Sequence, residues 1–389
     1  MFKKIIVSSL VSVLALGTSI HSIANAVTTR PNPIVKPYTN VGTFNSTYRV
    51  YVYPFTIKNL TAQTDDPYYY DFVNGKSVEE LTKPVSPFLL DKNGMPMIQY
   101  GGSTYYHPVR TAGNGLYYLN AYKQLNKPEY LEKAKQYANH LATLSASYSD
   151  GSLFFAYKFK YTVLGRSTET LTSPWFSAMS QGQALSLYIR IYQVTKETKY
   201  LTYANRTLKS MLKFVRTMPG AKPWVTTSDG YQYEWLEEYP TETKAHNRIL
   251  NGFIFALYGL YDYYNATGNT IAKTYLQGGM TTILAYGDRY RLPNNYSYYG
   301  LKYNNAASST YHNIHIRQLK QLYKMTGDIR FNNMSTRFYN DTVKLTTSST
   351  TSSTSRSLAP ASPDTKVKSG FTSDEIETFL NQKPVPAKK

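Results

Sequence analysis

The chain has 389 residues, enough for one large core or two modest ones, and carries a formal net charge of +19 with no cysteine. The lack of thiols excludes disulfides, lipidated cysteine and thiolate sites, and an excess of Lys and Arg favours polyanions as partners, with solubility alone as the other reading. Tyrosine is the outlier, at 39 residues against 16 Phe and 3 Trp; its flat face stacks on sugar rings, and its hydroxyl donates, accepts or transfers a proton.

Lys3 and Lys4, the apolar run from Ile5 to Leu16 and the small-residue site Ala24-Asn25-Ala26 predict a secretory signal peptide over residues 1–26. The apolar run is short for a bilayer span, so a retained anchor is the minor alternative and no stable membrane insertion is expected after cleavage. The expected location is secreted or cell-envelope. There an anionic surface, wall polymer or acidic glycan is the expected partner, and nucleic acid is not.

Residues 27–103 hold strand-like runs such as Tyr48-Arg49-Val50-Tyr51-Val52-Tyr53, broken by Pro54, Pro67, Pro84, Pro87, Gly94 and Pro96. They predict a small β-containing, loop-rich N-terminal region. From residue 104 to 345 the pattern is helical and repeats itself: Tyr130-Leu131 with Ala134 recurs as Tyr200-Leu201 with Ala204, as Tyr275-Leu276 with Gly279, and as Phe331 with Ser335. Each copy follows a short polar turn, and before each turn lies a more apolar helix, as in Phe253-Ile254-Phe255-Ala256-Leu257-Tyr258-Gly259-Leu260-Tyr261. The expected fold is therefore mainly α, an α/α toroid of helical hairpins with inner and outer members. A superhelical repeat array is the competing architecture, and the long, irregular repeat spacing argues against it. Residues 346–389 open with a Ser/Thr run and end in Lys388-Lys389, which predicts a disordered basic tail.

Three clusters gather acidic, aromatic and amide residues where helices are expected to begin: Trp175-Phe176-Ser177-Ala178-Met179-Ser180-Gln181-Gly182-Gln183, Trp235-Leu236-Glu237-Glu238-Tyr239-Pro240, and Tyr311-His312-Asn313-Ile314-His315. Such residues fill a core poorly unless each polar atom finds a partner, so the clusters are expected to line a cleft and point to carbohydrate chemistry. Trp175, Gln181, Gln183 and Asn251 are candidates for stacking on and hydrogen bonding to sugar, although Trp175 also suits a plug in the toroid. Arg248, Lys158 and Lys160 are candidate carboxylate contacts, and the two lysines equally suit the solvated face of a strand. His312 and His315 suit a packed, hydrogen-bonded pair better than a metal site, since no acidic partner sits at matching spacing; His312 is the more plausible member of a cleft.

The clusters resemble, in order and separation, the catalytic C-terminal region of the D-glucuronyl C5-epimerase family. The resemblance rests on Trp175 to Ala184, on Trp235 to Pro240, on Leu250 to Phe253 with Gly259 to Asp262, and on Tyr311 to Leu319. It covers roughly residues 170 to 345, with a weaker echo in Tyr105-Tyr106-His107-Pro108-Val109 and Asn114-Gly115-Leu116. It implies an α/α toroid acting on a uronic acid polysaccharide such as heparosan, inverting C5 by proton removal and return; no cofactor and no metal ligand set are expected, with a divalent ion supporting the loops left open. Glu238, Tyr239, Tyr299 and Tyr311 are the catalytic candidates it implies, and Trp235, Glu237, Arg248, Lys302 and His312 join the substrate-binding set. The two glutamates otherwise suit a helix cap or a Lys pair. At Tyr299-Gly300-Leu301-Lys302 a Lys stands where the family has Arg, a point charge in place of a bidentate fork, and Tyr298 is an alternative to Tyr299. A polyuronate lyase and a non-catalytic polyuronate-binding protein remain the alternatives.

Overall fold

The computed structural model describes residues 36–213, 223–242, 245–303 and 305–350. The expected signal peptide lies outside the described residues, as does the tail from residue 351. Among the described residues no helix is long and apolar enough to cross a membrane.

The N-terminal region is built from small pieces: a hairpin of β1 (Thr43–Asn45) and β2 (Val50–Val52), a short helix α1 (Val78–Thr82), and the antiparallel sheet β3 (Phe88–Leu90), β4 (Pro96–Tyr100) and β5 (Ser103–Tyr106). Ser77 starts α1 with a capping box, accepting from the Glu80 backbone while the Glu80 side chain accepts from the Ser77 backbone.

Among the described residues four helical hairpins follow: α2 (Pro108–Leu125) with α3 (Pro128–Thr143), α4 (Ala178–Thr195) with α5 (Thr198–Met211), α6 (Leu250–Thr267) with α7 (Thr270–Tyr286), and α8 (Ser309–Thr326) with α9 (Ile329–Thr350). The first member of each pair is the inner one, packed in the order α2, α4, α6, α8, and its partner lies behind it. The architecture is the α/α toroid the repeat predicts. Helix α9 runs through Thr350, so it extends past the point where the tail was expected to start.

The turns explain the repeat. Each inner helix ends on a left-handed residue, Asn126, Lys196, Gly268 or Gly327, whose N–H donates to the carbonyl of a tyrosine four residues back: Tyr122, Tyr192, Tyr264 and Tyr323. The chain then reverses into the Tyr-Leu or Phe that opens the outer helix. Between the hairpins lie longer connections carrying small β-pairs: β6 (Ser145–Ser147) with β7 (Leu153–Phe155), β8 (Tyr161–Thr162) with β9 (Thr170–Leu171), and β10 (Thr226–Ser228) with β11 (Glu234–Leu236). These connections gather around the N-terminal ends of the inner helices.

The opposite end is sealed by the N-terminal region. Residues 58–70 cross the C-terminal ends of all four inner helices. Asn120 donates to the Tyr68 carbonyl at 2.8 Å, Tyr261 to the Lys58 carbonyl at 2.9 Å, and Gln321 to the Asp65 carbonyl at 2.7 Å. Arg190 of α4 is buried between Asp262 of α6, gripped through Nε at 2.7 Å and Nη2 at 2.9 Å, and Asp66 of the crossing segment at 2.6 Å. A guanidinium taken this far out of water is tolerated because both carboxylates neutralise it and fix its geometry.

Helices α4 and α6 meet backbone to backbone. A Cβ on Gly182 would lie 2.4 Å from Ala256 Cα, and one on Gly259 would lie 2.3 Å from the Gly182 carbonyl oxygen. Gly182→Ala and Gly259→Ala are each expected to destabilise the chain by about 1–3 kcal/mol, even though Ala favours helix by about 1 kcal/mol. Denaturant unfolding with an unchanged m-value checks this, and a gain in stability from either variant would contradict the close crossing.

Candidate active site

The second acidic cluster does not start a helix. Trp235 and Leu236 lie on β11, and α6 begins only at Leu250. Trp235 packs in the core between Phe253 and Tyr286, with its indole N–H on Asp229 at 3.0 Å. Trp235 therefore serves packing and is not open to a sugar, which corrects its expected role. The chain then runs between the starts of two inner helices: Glu237 N donates to the Val225 carbonyl, and its own carbonyl accepts from Ala178 N at the start of α4.

This path drives the Glu238 carboxyl into the first turn of α6. Gly252 leaves the room, since a Cβ there would lie 2.2 Å from Glu238 Oε2. Residues 298–301 run alongside, held by the Leu250 N–H on the Tyr299 carbonyl and by the bridge between Ile249 and Gly300. The Tyr299 hydroxyl thereby faces Glu238 Oε1 at 3.5 Å, and its ring meets Tyr311 of α8 edge-on at 5.0 Å. Tyr298 is only half-buried, and the tyrosine beside the carboxyl is Tyr299. On the other side Tyr239 lies 5.4 Å from Tyr161 and 6.1 Å from Trp175, which stacks on Tyr157 at 3.9 Å.

The result is one carboxyl walled by phenols. Burial pushes the Glu238 carboxyl from its ordinary 4.5 up to about 7, against the pull of the Tyr239 and Tyr299 hydroxyls and with help from the neighbouring Glu237 charge. Burial also raises Glu237 to about 7, opposed by Arg248, whose backbone N–H lies on Oε2 at 3.1 Å, and by Lys302. Tyr239 and Tyr299 are pushed well above their ordinary value, first by burial and then by the Glu238 charge, and Tyr161 moves up for the same reasons. Near neutrality the site thus holds a carboxyl able to gain or lose a proton beside phenols that keep theirs.

Several expected contacts are committed elsewhere. Gln181 accepts from Phe155 N at 2.9 Å and donates to the Leu153 carbonyl at 2.8 Å and to the Ser210 hydroxyl, so it anchors β7 and has no amide N–H left for sugar. His312 accepts from Ser297 N at 2.8 Å through Nδ1 and points Nε2 at the Phe338 carbonyl and the Thr342 hydroxyl, which makes it a link between α8 and α9 instead of a cleft residue. Arg248 lies over the Trp235 ring at 4.7 Å, turned toward Asp229 and away from open solvent. Lys302 is buried in an ion pair with Glu169, so the structure does not offer it as a free clamp. By contrast Gln183 Oε1 and both amide atoms of Asn251 are buried without a partner among the described residues, and these two remain suited to a ligand's hydroxyls. Lys158 and Lys160 are exposed and alternate with buried Tyr157, Phe159 and Tyr161.

Four residues that the sequence reading passed over belong here: Tyr157 and Tyr161 in the aromatic wall, and Glu169 with Tyr303 beside Lys302. The alternation from Tyr157 to Tyr161 was the available signal for the wall. Nothing in the local sequence marks Glu169.

Residues 149–340, about half the chain, match the family described as D-glucuronyl C5-epimerase C-terminus. An uncharacterized protein of Methanocaldococcus jannaschii is 28% identical over 158 residues, covering 41% of this chain and 49% of that protein. The D-glucuronyl C5-epimerase of Caenorhabditis elegans is 35% identical over 88 residues, 23% of this chain and only 13% of that protein, so the match spans a small part of its length. Among solved structures, cellobiose 2-epimerase from Bacillus thermoamylovorans B4167 superposes with a TM-score of 0.48 at 14% identity, covering 78% of this chain and 81% of that one.

The two buried carboxyls give a stability signature. Between pH 4.5 and about 7 the folded state holds protons that the unfolded chain has released, so stability falls as pH rises through that window and levels off above it. Glu238→Gln removes one of these protons from the balance. Relative to wild type, the variant is expected to gain up to about 3 kcal/mol on going from pH 5 to pH 8. Thermal unfolding at the two pH values reads this, and a difference that does not move with pH would contradict a near-neutral carboxyl.

Proposed function

The chain belongs, through residues 149–340, to the D-glucuronyl C5-epimerase C-terminus family, and from that premise we propose that it inverts C5 of D-glucuronyl residues in a heparosan-like anionic polysaccharide. The observation that carries this reading is the Glu238 carboxyl, buried with a pKa of about 7 among tyrosines that remain protonated.

Inversion at C5 requires removal of a proton α to the sugar carboxylate and delivery of one to the opposite face. In the ionised form Glu238 takes the C5 proton, and the C–H electron pair moves into the substrate carboxylate. A tyrosine hydroxyl on the opposite face of the ring, assigned to Tyr311 because the Tyr239 and Tyr299 hydroxyls lie on the Glu238 carboxyl, returns a proton to C5 and is left as a phenolate. Proton exchange between the Glu238 acid and that phenolate resets the site. A high tyrosine pKa suits the donor, because the phenol stays charged with its proton until a much stronger base forms beside it. A carboxyl near neutrality suits the acceptor at working pH. The extra negative charge on the substrate carboxylate calls for cations and donors nearby, and Arg248 and Lys302 both act on the Glu237 carboxyl in this region.

The test is NMR of heparosan and other polyuronates in deuterium oxide with the protein. Deuterium at C5 of intact chains is expected, with the rate lowered at least about 100-fold in Glu238→Gln and in Tyr311→Phe, the range for loss of one acid/base group. A uronate lyase would form the same carbanion and then expel the C4 oxygen, giving shortened, ultraviolet-absorbing products. Binding without deuterium uptake by any polyuronate would contradict the proposal and favour a binding protein.

A further inference from the structure

The Glu169 carboxyl occupies a place built for an anion. It is 1% exposed and receives three donors from elsewhere in the chain: the Lys302 ammonium, the Tyr303 hydroxyl at 2.9 Å and the Asn247 amide at 3.0 Å. All three donors come from the segments flanking the start of α6, and Lys302 also acts electrostatically on Glu237. Glu169, however, comes from the β8–β9 hairpin, residues 161–171, where it ends the loop just before β9; the hairpin's first residue is Tyr161 of the aromatic wall. A second contact of the same loop lies alongside: Arg166 stacks over the Tyr303 ring at 3.9 Å and donates to Asn305 at 3.3 Å. The hairpin therefore runs from the wall beside Glu238 to Lys302, and its carboxylate sits on the donors that an acidic ligand would seek.

We propose that Glu169 is a built-in occupant of a carboxylate site formed by Lys302, Tyr303 and Asn247, and that the carboxylate of an acidic sugar takes its place as loop residues 164–169 of the hairpin lift, Tyr161 staying in the wall. The inference rests on the uronate reading of the site and deepens it by naming what admits the ligand. A buried ammonium without a counter-charge is costly, so the hairpin stays down until another anion arrives. Exchange of one carboxylate for another keeps Lys302 paired throughout, whereas a neutral sugar offers nothing in return for Glu169. The latch is thus a selectivity device, opened by acidic glycans and closed to neutral ones.

The experiment measures binding of a heparosan hexasaccharide and of its carboxyl-reduced counterpart by calorimetry, to wild type, Glu169→Gln and Arg166→Ala. Removing a self-bound occupant raises apparent affinity by the inverse of the open fraction, about tenfold if the open population is on the order of a tenth. Glu169→Gln is expected to bind the acidic hexasaccharide about tenfold more tightly on that basis, and Arg166→Ala several-fold, with no gain for the reduced one. Acetate is a second probe that does not depend on the right polymer. Against chloride at equal ionic strength, it is expected to speed hydrogen exchange of the hairpin amides in wild type. If Glu169→Gln fails to fold, Arg166→Ala and acetate still decide. Unchanged or weaker binding by the folded variants, with no effect of acetate, overturns the latch and leaves deuterium uptake at C5 as an independent question. A latch that opens to acetate without deuterium uptake on any polyuronate overturns only the epimerase reading.

Discussion

The site depends on one constraint, the enclosure of the Glu238 carboxyl between the first turn of α6 and a wall of tyrosines. A carboxyl in water would be ionised well below neutrality, and one sealed in a purely apolar core would be neutral and inert. Here burial raises its proton affinity while the Tyr239 and Tyr299 hydroxyls restrain the rise. The same enclosure raises the phenols, because a phenolate beside Glu238 would be both desolvated and repelled. One packing arrangement thereby sets two opposed tendencies, a carboxyl near neutrality and phenols that hold their protons.

The toroid makes that enclosure possible by separating its two ends. At the C-terminal ends of the inner helices, the crossing segment and the Arg190 triad hold α4, α6 and the N-terminal region in fixed relation. At the other end the connections between hairpins are long, and they bring β11, the β8–β9 hairpin and residues 298–303 around the start of α6. The Gly182–Gly259 contact sets how closely α4 approaches α6 and hence the width of the gap through which residues 237–239 pass. The sealing contacts and the candidate site thus lie at opposite ends of the same helices.

The architecture was legible because it repeats. The Tyr-Leu signature after each polar turn marks the outer helices, and the apolar runs before each turn mark the inner ones. The catalytic candidates were legible only through the motif resemblance, since nothing in Glu237-Glu238 by itself distinguishes a reactive carboxyl from a helix cap. Local patterning misled at β11, where a dense polar cluster suggested a helix start but a strand buries Trp235 and carries Glu238 against the first turn of α6. It misled again at Gln181 and His312, whose polar atoms are consumed by backbone groups that come close only in the folded chain. Glu169 was invisible for the same reason: its partners lie at Asn247, Lys302 and Tyr303, far away in sequence.

The central claim concerns a proton on one side chain, and the most direct measurement is a carbon-13 NMR titration of the Glu238 side-chain carboxyl, assigned by its loss in Glu238→Gln. A midpoint near pH 7 is the predicted result, with Glu237 titrating in the same region and the neighbouring tyrosines unchanged up to pH 10. A midpoint in the ordinary carboxylate range near 4.5 would contradict the enclosure and remove the physical basis for Glu238 as the proton acceptor.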